Sequence, residues 1–298
     1  MQVRSGVFES GVWYMLLSVL LYVAGDLLIK GRSTGVPSNE VVFFRNLFGL
    51  VFLLVVPSQK PLVFIGKKFW MLLSRGILGY LSLSLFYFLL AHAPMANAVV
   101  FLQSATIFSA LIAFGAVKER LSRLQAGATF VGFVGIWLIV NPDIAATKYD
   151  LLGIALGIVS ALAHTSIKEL KKYYDSRSIV FSYLVVGITF PVMFSLLGKT
   201  MPLPSLEFLT ASFVMPSMGM VFALAAIAVL TTMGQLYKTK AYSLDKAGVI
   251  GTIGYSRIAF ALVVGAFLGD GMPNVITLAG IALVTASAIM VSYRDKSL

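Results

Sequence analysis

The sequence predicts an all-α membrane protein in which ten transmembrane helices form two inverted five-helix repeats. Three observations support this fold class: ten long apolar stretches, Lys and Arg residues concentrated on alternate sides of them, and weak similarity between the two halves of the chain. The chain is 59% hydrophobic and only 12% charged, with a mean hydropathy of +0.93, whereas a soluble domain has about 25% charged residues. The apolar stretches nearly use up the 298 residues, so no separate soluble domain fits.

Each apolar stretch is long enough to cross a bilayer as a helix. A helix needs about 20 residues with few charges to span the hydrocarbon core. Several stretches are joined by only a few residues, so their boundaries are less certain than their number. The predicted spans are 11–30, 39–56, 71–91, 95–117, 124–141, 151–170, 178–198, 211–234, 246–268 and 274–292.

The Lys and Arg residues predict the orientation. With the N-terminus in the cytoplasm, 17 of the 23 Lys and Arg residues lie on the cytoplasmic side, four lie outside, and Arg45 and Arg257 lie within spans. Cytoplasmic loops of membrane proteins are enriched in Lys and Arg. We therefore expect a multi-pass protein of the inner (cytoplasmic) membrane with both termini in the cytoplasm and an uncleaved first helix.

Weak similarity between the halves predicts a duplication. Lys30 in span 1 corresponds to Lys168 in span 6, and Tyr87 in span 3 corresponds to Tyr237 after span 8. An odd number of spans per repeat makes the second copy insert upside down, and inverted repeats recur in secondary transporters that bind substrate near the midplane between them. The predicted repeats are residues 1–145 and residues 146–298.

Composition also excludes several classes of function. The net charge of +11 lies in loops at span ends, so we expect no nucleic-acid partner. The sequence has no Cys, which excludes disulfides, thiolate metal sites and Cys nucleophiles. It has no GxxxxGK[ST] loop for ATP. We therefore expect no cofactor and no metal, and we expect a small-molecule substrate and the lipid bilayer as partners.

Small residues in spans 5 and 10 predict close helix packing and a homodimer through these two helices. Neither span carries a charge at membrane depth, and small residues let helix backbones approach each other. The small residues are Gly127, Gly132, Gly135, Gly280, Ala282, Ala286 and Ala288.

Charged residues within spans are the first candidates for a binding site. A charged side chain at bilayer depth costs at least about 2.5–3.5 kcal/mol and normally faces the bundle interior or water. Asp26 and Arg45 lie at similar predicted depth, which favours an ion pair or a shared contact with substrate. The alternative is a salt bridge that only holds two helices together. Tyr22 lies one turn from Asp26 on the same helix face, which favours a lined cavity.

Arg257 is an interior cation preceded by Gly248, Gly251 and Gly254 at intervals of three residues. This face has almost no side-chain volume, so it permits close helix approach or an open wall for a ligand. A planar guanidinium binds carboxylate or phosphate through two hydrogen bonds. Pairing with Asp or Glu from another helix is the alternative. Gln103 lies near the counterpart position in the first half.

The remaining candidates are titratable or aromatic. His164, in the inner half of span 6, titrates near neutral pH and can relay protons, although membrane histidines often only hydrogen-bond a neighbouring helix. Tyrosines suit a cavity wall, although tyrosine is also common at membrane interfaces. The candidate tyrosines are Tyr22, Tyr80, Tyr87, Tyr237 and Tyr255.

Short motifs that follow one another along the chain add a family resemblance. They are Phe44-Arg45, Arg75-Gly-Ile-Leu-Gly-Tyr80, Phe86-Tyr87-Phe88, Ala91-His-Ala-Pro94, Lys118-Glu119-Arg120-Leu121 and Gly254-Tyr255-Ser256-Arg257. In this order they resemble the EamA family of the drug/metabolite transporter superfamily. The resemblance implies a central cavity lined mainly by helices 1–4 and 6–9, with helices 5 and 10 at the periphery, and transport of small organic solutes. The chain departs from the family pattern at Gly269-Asp270-Gly271, where Gly-Glu is usual.

These observations together predict a secondary transporter that moves an amino acid or amino-acid-like solute by alternating access. Arginine would bind the carboxylate, Asp26 the ammonium group, and the aromatic residues the side chain. S-adenosylmethionine and a cationic drug or amine are alternative substrates. An intramembrane enzyme is less expected because HExxH, GxSxG and closely spaced carboxylates within spans are absent, and a channel is less expected because a single chain shows no charged ring. Import, export and ion coupling are left open.

Overall fold

The structure, a computed structural model, consists of α-helices joined by turns and short extended segments. It describes residues 11–30, 36–56, 67–116, 123–140, 147–170, 172–200, 206–244 and 253–292, and these ranges contain no strand. The helices are α1 (Gly11–Lys30), α2 (Ser38–Val55), α3 (Phe69–His92), α4 (Met95–Gln103), α5 (Ala105–Ala116), α6 (Arg123–Val140), α7 (Lys148–Leu170), α8 (Ser176–Thr200), α9 (Glu207–Thr210), α10 (Met218–Leu244), α11 (Ser256–Phe267) and α12 (Val275–Ser292).

Within the described ranges, six helices are long and apolar enough to cross a membrane. They include α1, α2 and α3 in full and most of α7, α8 and α10. Four shorter apolar helices cover Met95–Ser109, Gly127–Ile139, Ser256–Phe267 and Val275–Ser287. The chain is therefore a multi-pass membrane protein, and the total of ten spans stays a prediction.

Predicted span 4 is divided into two helices at Ser104. The Ser104 hydroxyl donates to the carbonyl of Phe101 at 2.6 Å, and its backbone N–H donates to the carbonyl of Val100 at 2.8 Å. A Cβ added at Gly157 of α7 would collide with the Ser104 hydroxyl. The glycine therefore lets α7 approach the turn between α4 and α5 closely.

Predicted span 8 is displaced along the chain. Residues 211–217 are not helical, and α10 begins at Met218 and continues to Leu244. Pro216 precedes the start, where a residue without an N–H costs nothing to the helix, and the backbone N–H of Met220 donates to the Ser217 hydroxyl at 3.3 Å. Lys238 and Lys240, which lie beyond the predicted end of span 8 at residue 234, therefore belong to the helix.

The helices of the two halves pack in matching pairs. Helix α1 packs against α10 as α7 packs against α3, and α2 packs against α10 as α8 packs against α3. Helix α2 also packs against α8, and α6 packs against α12. One buried apolar cluster runs through both halves and includes Val19, Leu89, Leu156 and Leu224.

The small residues of spans 5 and 10 pack these two helices against each other within the chain. A Cβ added at Gly135 would lie 2.8 Å from the backbone nitrogen of Val284 and 2.9 Å from the carbonyl oxygen of Gly280. The Ser287 hydroxyl donates to the carbonyl of Ala128 at 2.6 Å. These contacts use the residues that suggested a homodimer, and the homodimer stays a prediction.

The close contact at Gly135 predicts a stability difference between two glycines of α6. Gly135→Ala will lower the melting temperature of the detergent-solubilised protein, because its methyl group meets rigid backbone and overpacking costs about 1–3 kcal/mol. Gly127→Ala is the matched control, since nothing lies within 4 Å of its added Cβ. Equal melting temperatures for the two variants would contradict the α6–α12 packing.

Candidate substrate-binding cavity

A polar cavity lies between the two halves of the helix bundle. Side chains or backbone from α1, α2, α3, α4, α7, α8, α10 and α11 line it, and its volume, including the open mouth, is about 780 Å³. An adjoining cavity of about 550 Å³ shares Tyr22, Gln103, His164 and Lys238 with it and extends towards Met15 and Thr106.

The central contact in the cavity wall is an ion pair between α1 and α11. Arg257 donates to one carboxylate oxygen of Asp26, from Nη2 at 2.5 Å and from Nε at 3.2 Å. Only 1% of Asp26 and 8% of Arg257 is exposed. The guanidinium carbon of Arg257 also lies 4.9 Å from the ring centre of Tyr22 and 5.2 Å from that of Phe86. The pair therefore cancels one positive and one negative charge at membrane depth.

Close packing of α1 against α10 positions Asp26. A Cβ added at Gly25 would lie 2.9 Å from the side chain of Thr231 in α10. The Ser18 hydroxyl donates to the carbonyl of Gly234 at 2.7 Å. These two contacts place the Asp26 face of α1 at the edge of α10, within reach of Arg257.

Arg45 is bound by hydroxyl groups instead of a carboxylate. Its Nε donates to Thr231 Oγ1 at 2.9 Å, and its Nη1 donates to the Tyr183 hydroxyl at 2.8 Å. Among the described residues, no carboxylate lies within ion-pair distance of it. The predicted ion pair of Asp26 with Arg45 was therefore wrong, because Arg257 reaches across from α11 to take the carboxylate.

Arg75 is buried and has few interaction partners among the described residues. Only 8% of the residue is exposed, and its Nε and Nη1 have no hydrogen-bond partner within the described part of the chain. Its guanidinium carbon lies 5.6 Å from the ring centre of Tyr183. Tyr183 therefore lies between two cations, since its hydroxyl accepts from Arg45 and its ring faces Arg75.

His164 and Lys238 line the same cavity from α7 and α10. Both also line the adjoining cavity, and His164 is exposed although it lies well inside α7. Lys238 is partly buried, and no hydrogen-bond acceptor or carboxylate contacts it in the ranges that the structure describes. The side chain of Lys168, predicted to lie one turn from His164, is outside the described residues.

Most of the remaining candidates also lie in the cavity wall. Tyr22 donates a short hydrogen bond to Gln235, and Gln103 donates to the carbonyl of Gly254 at 3.1 Å. Tyr87 lines the main cavity and Tyr255 the adjoining one.

Two predicted tyrosines do not line either cavity. Tyr80 is fully buried, with its ring centre 5.7 Å from that of Phe190 and 6.2 Å from that of Phe194. Tyr237 packs against Tyr14, with ring centres 5.8 Å apart. The helices are apolar on all sides, so residue spacing alone did not indicate which face points inward.

Sequence reasoning missed several cavity residues. Thr231, Gln235 and Lys238 follow one another on one face of α10 at intervals of four and three residues, and this polar stripe was a usable signal. Arg75 lies near the predicted start of span 3 at residue 71, where a cation on the cytoplasmic side is ordinary. Tyr183 gave no signal, because a single tyrosine in an apolar helix is ordinary.

Comparison with known proteins identifies the family. Residues 9–141 match the model of the EamA-like transporter family. The match identifies the first part of the chain as EamA-like. Relatives whose names describe transporters, not enzymes, align with nearly the whole chain. The family resemblance seen in the sequence is thereby confirmed, and the protein is a transporter of the drug/metabolite superfamily.

Several curated EamA-like relatives carry informative names. An uncharacterized transporter of Helicobacter pylori is 28% identical over 95% of this chain and 94% of its own length. The pseudopaline exporter CntI of Pseudomonas aeruginosa is 26% identical over 97% of this chain and 98% of its own length. An S-adenosylmethionine uptake transporter of Rickettsia conorii is 25% identical over 97% of this chain and 94% of its own length.

A solved crystal structure has a similar fold. It matches with a TM-score of 0.59 and 14% sequence identity, and the match covers 94% of this chain and 96% of the other. At this identity the likeness concerns the fold alone. It covers both halves of this EamA-like chain, so it includes the part beyond residue 141.

The buried ion pair predicts strong coupling between Asp26 and Arg257. Asp26→Asn and Arg257→Gln will each lower the free energy of unfolding by about 3–5 kcal/mol, because each leaves an uncompensated buried charge. The double variant will lose less than the sum of the two single losses. Thermal unfolding in detergent, analysed as a double-mutant cycle, measures this coupling. Losses that simply add would show that the two side chains do not interact.

Proposed function

We propose that this chain is a secondary transporter that moves a small organic metabolite, an amino acid or amino-acid-like solute, across the cytoplasmic membrane by alternating access. The observation that supports this most directly is the polar cavity lined by Asp26, Arg45, Arg75 and Arg257. A charged residue at membrane depth is energetically costly unless it faces the bundle interior or water, so it usually marks a pathway for substrate or ions. The named relatives, which include an exporter and an uptake transporter, support transport in general.

The cavity offers groups suited to a carboxylate. The two hydrogen-bond acceptors of Arg45 are neutral hydroxyls, and no carboxylate neutralises its charge among the described residues. Aromatic rings of Tyr22, Phe86 and Tyr87 supply an apolar wall. Asp26 is already neutralised by Arg257, so it binds an ammonium group only if that group shares it with Arg257.

S-adenosylmethionine is the second candidate substrate. The observation that favours it is the similarity to the S-adenosylmethionine uptake transporter of Rickettsia conorii. The excess of Lys and Arg over carboxylates in the cavity disfavours a net cation, which counts against a cationic drug or amine and also against S-adenosylmethionine, whose net charge is positive.

Two inverted repeats, residues 1–145 and residues 146–298, would explain the packing. A twofold relation that exchanges spans 1–5 with spans 6–10 maps the α1–α10 contact onto the α7–α3 contact. It also maps the α2–α10 contact onto the α8–α3 contact, while α2–α8 and α6–α12 lie on the axis. Inverted repeats of this kind allow one half to rock against the other around a fixed site.

One end of the cavity is closed by polar contacts. Lys30 forms an ion pair with Asp270 at 3.0 Å and donates to the carbonyls of Leu90 and Ala93 at 3.2 and 2.7 Å. Asp270 in turn accepts from the backbone N–H of Met95 at 2.7 Å. These contacts tie together the ends of α1, α3, α4 and α11. In the predicted orientation, this is the outer end.

At the opposite end of the helix bundle, ion pairs form between residues that lie nearer the surface. Glu169 pairs with Lys172 at 2.6 Å and with Lys68 at 3.1 Å, and these hydrogen bonds lower the pKa of its carboxyl group. The adjoining cavity extends in this direction, towards Met15 and Thr106. The arrangement supports a conformation that is closed at Lys30 and accessible from the opposite side.

Transport is tested with purified protein in liposomes. We expect saturable uptake of at least one solute from a panel of amino acids, amino-acid-derived metabolites and S-adenosylmethionine. Arg45→Gln will reduce that uptake by about 10- to 100-fold, since a hydrogen bond to a charged group contributes about 1.5–3 kcal/mol. Lys199→Gln, an exposed position on α8, is the control. Uptake that never saturates for any solute would contradict the proposal.

Alternating access is tested with a single introduced thiol, since the chain has no native Cys. A Thr106→Cys protein will react with a membrane-impermeant thiol reagent only from the side opposite Lys30. Adding Asp270→Asn weakens the contacts that close the Lys30 end by about 1–2 kcal/mol, which shifts the ratio of the two conformations by about 5- to 30-fold. The conformation in which Thr106 is accessible is then less populated, so the reaction will be slower. Asp150→Asn, an acidic residue at the start of α7, is the control. Reaction from both sides at equal rates would contradict a closed Lys30 end.

A further inference from the structure

We infer that the substrate is a small organic anion carrying at least two negative charges, held by Arg45 at one group and by Arg75 with Lys238 at another. This inference rests on the proposed transport function and names the substrate class of the same cavity. It differs from the zwitterion expected from sequence, because the cavity contains two cations that the sequence analysis had placed in loops or at span ends.

The charge balance of the cavity supports a polyanionic ligand. Four Lys or Arg side chains line it, namely Arg45, Arg75, Lys238 and Arg257, against the single carboxylate of Asp26. Arg257 neutralises Asp26. The other three cations have no ion-pair partner among the described residues. Like charges in apolar surroundings repel each other strongly, so a bound anion would relieve the repulsion among these three cations.

Arg75 is a buried cation with unsatisfied donors. Its Nε and Nη1 are buried and have no hydrogen-bond partner among the described residues, and its guanidinium faces the ring of Tyr183. These two nitrogens are on different edges of the guanidinium, so each can donate one separate hydrogen bond to a carboxylate or phosphate oxygen. A purely structural arginine would instead have its nitrogens bound by the protein.

Tyr183 links the two anion-binding groups. Its hydroxyl accepts a hydrogen bond from Arg45 at 2.8 Å, so its own proton remains available for a ligand oxygen. Thr231 has no such freedom, since its hydroxyl donates to the carbonyl of Ile227 at 2.7 Å while accepting from Arg45. Arg45 and Arg75 therefore contact the same side chain, and a short two-headed anion can reach both.

The cavity offers little to a cation. Its one carboxylate is already bound by Arg257, and three of its aromatic rings already face guanidinium groups. The rings are those of Tyr22, Phe86 and Tyr87. A cationic ligand would therefore meet positive charge without a free partner of opposite sign, and a zwitterion would leave two of the three cations unpaired.

Binding to the purified protein in detergent tests the inference with a series matched in size. The probes are a four-carbon dicarboxylate, a four-carbon monocarboxylate, a three-carbon phosphomonoester, a zwitterionic amino acid and a linear amine. We expect at least one of the two doubly charged anions to bind about tenfold or more tightly than the monocarboxylate, since charge-assisted bonds are about twice as strong as neutral ones. The dicarboxylate and phosphomonoester arms separate carboxylate from phosphate recognition.

Variants assign the effect to the residues. Arg75→Gln and Lys238→Gln will each weaken binding of the doubly charged anion about tenfold, while the weak binding of the monocarboxylate changes less than about twofold. Lys240→Gln is the matched control, two residues along α10 and exposed. Arg75→Gln will lower the melting temperature of the ligand-free protein less than Asp26→Asn does, because Nε and Nη1 of Arg75 make no hydrogen bond within the described residues. Arg75→Lys keeps the positive charge but lacks the planar guanidinium, so it will recover only part of the affinity for the doubly charged anion.

Two results would overturn the inference. One is a zwitterion or a cation that binds as tightly as either doubly charged anion, or no binding by any anion. The other is anion binding that Arg75→Gln and Lys238→Gln leave unchanged. Saturable transport of a neutral or cationic solute in liposomes would then leave the proposed transporter in place. Absence of saturable transport for every solute would instead contradict the transport function itself.

Discussion

The free-energy cost of placing charge inside a lipid bilayer constrains the whole arrangement of this chain. Apolar helices supply the membrane-spanning scaffold, yet Asp26, Arg45, Arg75 and Arg257 lie within it. The structure accommodates them in two ways. Asp26 and Arg257 cancel each other through direct hydrogen bonds, and the other two lie against a cavity and the hydroxyl and ring of Tyr183. Both arrangements involve helices from both halves of the chain, so the charged side chains also help to fix how the two halves pack together.

This constraint also bears on the proposed transport cycle. In that proposal, the ion pair of Lys30 with Asp270 closes one end of the cavity in one of the two conformations. The closing contacts are ion pairs and backbone hydrogen bonds at helix ends, which can break and re-form without disturbing the apolar core. The cations in the centre stay in place, so the same groups can meet a ligand from either side. The paired packing of the helices offers a simple way to exchange the two ends.

Sequence predicted the features that depend on composition. Long apolar runs gave most of the helix positions, and a charge inside such a run is conspicuous, which is why Asp26, Arg45 and Arg257 were found. Features that depend on where a helix ends were predicted less well. Lys238 lies beyond the predicted end of span 8 at residue 234, because α10 starts late, after Pro216, and ends late, at Leu244.

The sequence did not predict which residues would be neighbours in three dimensions. The partner of Asp26 is Arg257, which is 231 positions away, and not the nearer Arg45. Tyr80 and Tyr237 were expected in the cavity because tyrosine suits such a wall, yet each packs against other aromatic rings. In helices that are apolar all round, the inward face is set by packing against neighbours, and residue spacing within one helix carries little of that information.

The central claim is that the buried charges line an accessible space with a positive potential. The most direct test is the reaction rate of a Ser82→Cys protein with two small thiol reagents of equal size, one anionic and one cationic. Ser82 lines the cavity, the chain has no other Cys, and an exposed Thr147→Cys protein corrects for intrinsic reactivity. The account predicts that both reagents react and that the anionic one reacts faster at Ser82 by about tenfold or more, because a positively lined cleft concentrates anions. A thiol at Ser82 that reacts with neither reagent, or faster with the cationic one, would contradict it.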